Sequence, residues 1–404
     1  MVKEETVVDE LKQDVLFMSG VEPEGGSFVV FDKVSLVSAL KVFSPLSRPI
    51  QDIHARSCFL KRRGVIFHAS MSDGVIFGQV KIHATKVSED FPDNLVLDFE
   101  SLFKIISYID GTVCLVVEKG VFYVNFVGGR IYIPNFTVEP KDALEKKVKD
   151  GDYADIDVPA FMQCLDVSNL FLGSNPYSEM DFMFYGYEAQ SAWLSNKSMV
   201  MKLDRGFELD CSIRKQDLAV LISGMSWATR SLDDRIQFLG EKKFIVFKSS
   251  SLVLVFPRVE EIFPNSYPLH FGKFNKKNFI PLVFEKFFES LKVLSQGYDA
   301  SGVIALVVRD GGLVLESRTK SNKISSIRVA DKLVGKVMDQ TLYFSVGGVM
   351  SALKSLKGFK QINMTLHKES FSLFGEGFDL VIFGTDSLAK SGMDSVSVKA
   401  SRGA

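Results

Sequence analysis

The spacing of apolar positions changes along the chain in a recurring way. In the stretch from Gln340 to Lys357 the first residues alternate as in a strand. Val349, Leu353 and Leu356 then share one helical face, flanked by Lys354 and Lys357. Three short strand-like runs follow, Gln361 to Leu366, Phe371 to Phe374 and Leu380 to Phe383. The pattern predicts a strand, a helix and a small meander. The same order recurs five more times, opening at Val30 to Phe43, Leu95 to Ile106, Ile156 to Leu165, Leu209 to Ile222 and Ile280 to Leu291. Pro159 suits a first helical turn in the third copy. Helix anchors at Leu36, Leu102, Met162, Leu218, Phe287 and Val349 lie roughly 55 to 70 residues apart, the separation of an internal repeat with variable loops.

Two stretches interrupt the series. Thr137 to Tyr153 is charged and weakly periodic, and Arg258 to Asn278 carries Pro264, Pro268 and a basic run. The expected organisation is therefore α+β, with six strand–helix–meander copies grouped as three pairs. Its boundaries are an N-terminal extension over 1–27, a first domain over 28–140 and a linker over 141–153. A second domain over 154–268, a linker over 269–278, a third domain over 279–386 and a flexible tail over 387–404 complete it.

Composition supports a strand-rich globular chain. Of 404 residues 46% are hydrophobic and 35 are Phe, a residue suited to half-buried pleated surfaces. The formal net charge of −1 rules out a generally basic nucleic-acid binder, so any attraction to nucleic acid must be local. Cys58, Cys114, Cys164 and Cys211 form no CxxC pair and sit in apolar runs, which predicts reduced core thiols and a cytoplasmic protein. The segment from Met1 to Asp14 has no apolar signal core, and no apolar run is long enough for a membrane span.

Catalytic patterns are missing. His54, His68, His83, His270 and His367 have no metal-ligand spacing, and no HExxH, GxSxG or phosphate-loop motif occurs. Gly375-Glu376-Gly377 begins like a dinucleotide fingerprint but lies between two strand-like runs, so a hairpin turn is expected. Asp150, Asp152, Asp155 and Asp157 lack the Gly and Glu of a calcium loop, and read as a solvated acidic stretch. The chain is expected to be a non-enzyme without metal or cofactor. On or beside the repeat helices lie nine basic residues, Lys33, Lys41, Lys104, Arg214, Lys215, Lys286, Lys292, Lys354 and Lys357. Seven acidic ones oppose them, Asp32, Asp98, Glu100, Asp166, Asp217, Glu285 and Glu289. That surplus does not by itself establish a phosphate-facing surface.

Six such copies in three pairs resemble the bacterial DNA polymerase III β sliding clamp over about residues 28 to 386. The resemblance is carried by the strand and helix of Phe31 to Pro49 with its Arg48-Pro49 loop. It is carried also by Leu254 to Val259 with Ile262 to Tyr267, and by Gly302 to Val329 with Met338 to Lys357. It implies a ring of two head-to-tail three-domain chains, with strands outside and helices lining a hole through which duplex DNA slides. A processivity factor of this kind tethers a DNA polymerase, and meets its polymerase and clamp loader through short peptides. The helix cations named above would then face DNA without sequence specificity, joined by Arg48 as the loop arginine. Leu194, Lys197, Met199, Pro264, Leu269, Val381 and Phe383 would form the partner-peptide pocket. The extension before residue 28 and the tail beyond Asp386 depart from the family and suit a viral or mobile-element clamp. Two other readings remain: a clamp of this fold serving a transcription or repair complex, and a repeat-built structural protein of the virion type.

Overall fold

The computed structural model describes residues 26–47, 53–127, 129–137, 151–171, 182–186, 191–196, 199–204, 211–231, 233, 235–241, 243–258, 266–296, 303–318 and 324–384. The repeat is visible in the order of elements. The first copy is β1 (Ser27–Asp32), α1 (Lys33–Leu40), a short α2 (Ile53–Arg56), β2 (Ser57–Arg63), β3 (Ile66–Ser72) and β4 (Phe77–Val87). The second is β5 (Asn94–Asp98), α3 (Phe99–Tyr108), β6 (Thr112–Glu118), β7 (Val121–Phe126) and β8 (Gly129–Ile133). The third is β9 (Ala154–Ile156), α4 (Val158–Phe171), β10 (Phe182–Gly186), β11 (Ser191–Asn196) and β12 (Met199–Leu203). The fourth is β13 (Cys211–Arg214), α5 (Lys215–Arg230), β14 (Ile236–Gly240), β15 (Phe244–Lys248) and β16 (Leu252–Pro257), after which comes α6 (Ser266–Phe271). The fifth is β17 (Ile280–Val283), α7 (Phe284–Gln296), β18 (Val303–Arg309), β19 (Gly312–Arg318) and β20 (Ile324–Ala330). The sixth is β21 (Gln340–Ser345), α8 (Val346–Ser355), β22 (Gln361–His367), β23 (Ser370–Gly375) and β24 (Phe378–Phe383).

The helix anchors read from spacing are buried at Leu36, Leu102, Leu218, Phe287 and Val349. Met162 differs: it is half-buried, and α4 turns Phe161, Cys164, Leu165 and Phe171 inward instead. The i, i+3, i+4 stripe is the same kind of stripe, displaced by one residue. The stretch 258–278 was expected to be irregular but contains α6. Pro268 lies in its first turn, where the missing N–H would have had no helical partner. Gly375 to Gly377 is the β23–β24 hairpin turn that the sequence implies, with Gly377 at φ +80°, a conformation that strains L side chains.

Pairing follows one rule throughout. The leading strand of each copy lies beside the first meander strand of its partner copy: β1 on β6 and β5 on β2, β9 on β14 and β13 on β10, β17 on β22 and β21 on β18. The last meander strands then meet in antiparallel pairs, β4 with β16 and β12 with β24. Among the described residues, β8 and β20 are the last meander strands with a free edge.

Contacts divide the chain into two compact units, residues 1–158 with 219–258, and residues 159–218 with 259–404. In the first, α1 packs on α3, and Phe31, Phe67 and Phe91 form successive edge-on ring contacts. Gly224 lets α5 lie directly on β16, because a Cβ there would sit 2.6 Å from Leu254 Cδ1. In the second unit α7 packs on α8, and Phe344 meets Phe371 edge-on. The largest fully buried side chains of the described residues are all phenylalanines, whose area and ring geometry dominate such cores. Cys58, Cys114 and Cys164 are buried outside any disulfide, and burial pushes Cys58 up to about 12. No helix of the described residues is long and apolar enough to cross a membrane.

Candidate functional site

The helix faces change character once the caps are placed. Asp32 is the N-cap of α1, its carboxylate accepting from Ser35 N at 2.7 Å. Asp98 does the same for α3. It accepts from Ser101 N at 2.9 Å and Ser101 Oγ at 2.5 Å, and is buried against Arg56 Nη2 at 2.7 Å. Asp217 is also buried. These acids, counted against the helix cations from sequence alone, do not stand on an open helix face. Lys33 leaves the other side of the balance, half-buried and 3.2 Å from Asp110 Oδ1.

Lys41 follows α1 in a 3-10 turn, and Lys104 lies on α3, both exposed. In the second unit Lys286 and Lys292 are exposed on α7, and Lys354 and Lys357 on and just after α8. Lys292 Nζ lies 3.3 Å from Glu289 Oε2, a pair so exposed that it neutralises little. Exposed acids on described helices include Glu100, Asp166, Glu285 and Glu289. Arg48 lies outside the described residues, as do the side chains of Arg214 and Lys215, although their backbones end β13 and begin α5.

The residues expected to line a peptide pocket divide into two groups. Leu194, Met199 and Val381 are fully buried in the sheet formed by β11, β12 and β24. Leu269 is 69% exposed on α6, and Phe383 is half-buried at the end of β24. The link between them is His270, whose ring lies edge-on 4.9 Å from that of Phe383. Burial, and after it the charge of Lys273, hold His270 below its ordinary value, which favours the neutral imidazole. Phe271 meets Trp193 edge-on at 5.4 Å. Sequence reading missed His270, Phe271 and Trp193, because the stretch bearing two of them reads as a linker. Its aromatic run was the available signal. Lys197 and Pro264 lie outside the described residues. Among the described residues no group of His, Cys, Asp and Glu could hold a metal ion.

No protein-family profile matches the sequence, and no curated protein sequence matches it either. The structure does have counterparts. The beta chain of DNA polymerase III from Streptococcus pneumoniae superposes with a TM-score of 0.73 at 12% identity, over 89% of this chain and 99% of that one. The beta subunit from Thermotoga maritima gives 0.72 at 12% identity with the same coverages. The DnaN sliding clamp of Pseudomonas aeruginosa, solved bound to griselimycin, gives 0.71 at 11% identity, again over 89% and 99%. The mixture of antiparallel strands and few helices superposes over 99% of those chains, so this protein has the fold of the DNA polymerase III beta sliding clamps.

Proposed function

We propose that this protein is a DNA sliding clamp, a non-enzymatic processivity factor that encircles duplex DNA in the cytoplasm and tethers a polymerase. The observation that carries the reading is the match over 99% of the length of clamp chains. The exchange of leading strands groups the six copies into three pairs, which supports three domains per chain. The free edges of β8 and β20 support head-to-tail self-association, since each is an open last strand like those that pair at the β4–β16 and β12–β24 junctions. Lysines on paired helices suit weak contacts to phosphates at many points, as sliding requires.

The test is topological. Protein re-associated from monomers around nicked circular DNA should stay bound in high salt, and should fall off once the circle is cut. Equal release from circles and linear DNA would refute encirclement.

The patch formed by Leu269, His270 and Phe383 is the surface we assign to polymerase and loader peptides bearing Leu or Phe anchors. Leu269→Ala should weaken such a peptide by on the order of 1–3 kcal/mol. Thermal stability should be nearly unchanged, because the side chain is largely exposed. A peptide titration beside a melting curve decides; unchanged affinity sinks the assignment of Leu269.

A further inference from the structure

We propose that the cleft beside the β4–β16 junction of the first unit holds the sugar–phosphate backbone of DNA, with Lys81 and Arg230 as its charged contacts. This inference rests on the clamp reading above. Along β4 the strand partner changes from β16, at Phe77 to Val80, to β1, at Ala84 to Val87, and residues 81 to 83 fall between the two pairings. Val80, Ile82 and Ala84 turn into the core, so Lys81 and His83 turn the other way. They line an open cleft of about 870 Å3, whose further walls include Ser38 on α1 and Trp227 and Arg230 on α5.

The chemistry of this cleft favours an anion. Arg230 Nη1 donates to Ser38 Oγ at 3.2 Å, and neither Arg230 nor Lys81 has an ion-pair partner among the described residues. The described carboxylate on the cleft wall, Asp233, is already occupied. It accepts from the hydroxyls of Ser249, Ser250 and Ser251 and from Ser251 N, holding the β15–β16 turn. Burial pushes Asp233 up, but these hydrogen bonds outweigh it and hold the acid below its ordinary value. Lys81 and Arg230, beside the Ser38 hydroxyl, match the oxygens of a phosphodiester.

An acidic peptide is the competing anion. It would need deep apolar anchor points, and the large ring in this cleft, Trp227, is buried, its Nε1 donating to Ser251 O at 3.4 Å. The cleft is also walled by α1 and α5, the class of helix that the clamp reading turns towards DNA.

The experiment measures binding of the full chain to linear duplex DNA across a salt series, for the wild type and for Lys81→Ala with Arg230→Ala. Removing two phosphate contacts should lower the slope of log affinity against log salt by about two, with retention on circular DNA intact. If the double variant melts early, Arg230→Gln alone, at an exposed position, should lower the slope by about one. An unchanged slope with normal retention on circles overturns this inference and leaves the clamp reading standing. An unchanged slope together with loss of binding to an oligoglutamate peptide overturns it in favour of a peptide site. Failure of the wild type to bind DNA in either form overturns both.

Discussion

Asp98→Ala is expected to destabilise the first unit by about 3 kcal/mol, whereas Asp32→Ala, at the equivalent position of α1, should cost about 1 kcal/mol. Both aspartates cap a helix with the same bond to the third residue onward. Asp32 is exposed, so water can replace it. Asp98 is 1% exposed and also receives Arg56 Nη2, whose Nε already lacks a hydrogen-bond partner. Removing the carboxylate leaves a cation facing the interior, the costly way to break such a pair. Arg56 is itself 42% exposed and can turn partly to water, which places the effect at the low end of the range for buried pairs. In a unit of this size the loss should appear as a fall of roughly 10 °C in melting temperature. Equal shifts for the two variants in a thermal melt would show that burial of the Arg56–Asp98 pair contributes nothing.

Replacing Ile131 and Ile324 together with lysine should convert a dimer into a monomer. Strand edges that must stay single usually carry unpaired lysines, which repel an incoming strand. The edges of β8 and β20 do not. Ile131, Tyr132 and Ile324 are exposed there, and each arginine present has a carboxylate beside it, Glu118 at 2.8 Å from Arg130 and Asp331 at 2.6 Å from Arg328. Arg130 also stacks on Tyr123, 3.6 Å from the ring centroid, and Tyr123 faces Tyr132 across the strand pair. The edge is thus apolar and aromatic, with little net charge to oppose a second chain. Wild-type protein should sediment at about twice 45.1 kDa. The double lysine variant should weaken association by 2 kcal/mol or more, roughly 30-fold at least. A variant that sediments as the wild type does would remove β8 and β20 from the interface.

Much of the architecture was legible in the sequence, because periodicity is a local property. The change from alternation to a three-and-four spacing located the six repeat helices but not the short α2 and α6, and Gly377 marked its turn. Pairing was not legible. Nothing in Leu95 to Asp98 says that β5 will lie on β2 of the other copy, since the choice is made by packing between distant residues. The same limit applies to the candidate sites. Leu194 and Met199 look like pocket walls or core equally well from sequence, because a strand covered on both faces loses its alternation. Lys81 and His83 alternate with Val80, Ile82 and Ala84, which marks them as the outward face of a strand, but alternation alone does not say that a cleft lies over that face. Asp98 reads from sequence only as an acid beside a helix, because a cap and a buried ion-pair partner are the same residue type in the same place.

The pairing of last meander strands also governs the order in which the chain can be completed during synthesis. Phe77 to Val80 of β4 finds its partner in β16, which is made long after β4 itself. Phe77 packs with Leu239, Val246 and Val255, and those residues belong to the same late stretch. At ordinary rates of translation the interval is on the order of ten seconds. Throughout it an apolar strand edge stands open on the nascent chain, the kind of surface that chaperones cover. The first unit, begun at the N-terminus, is therefore complete only once the chain has been made as far as residue 258.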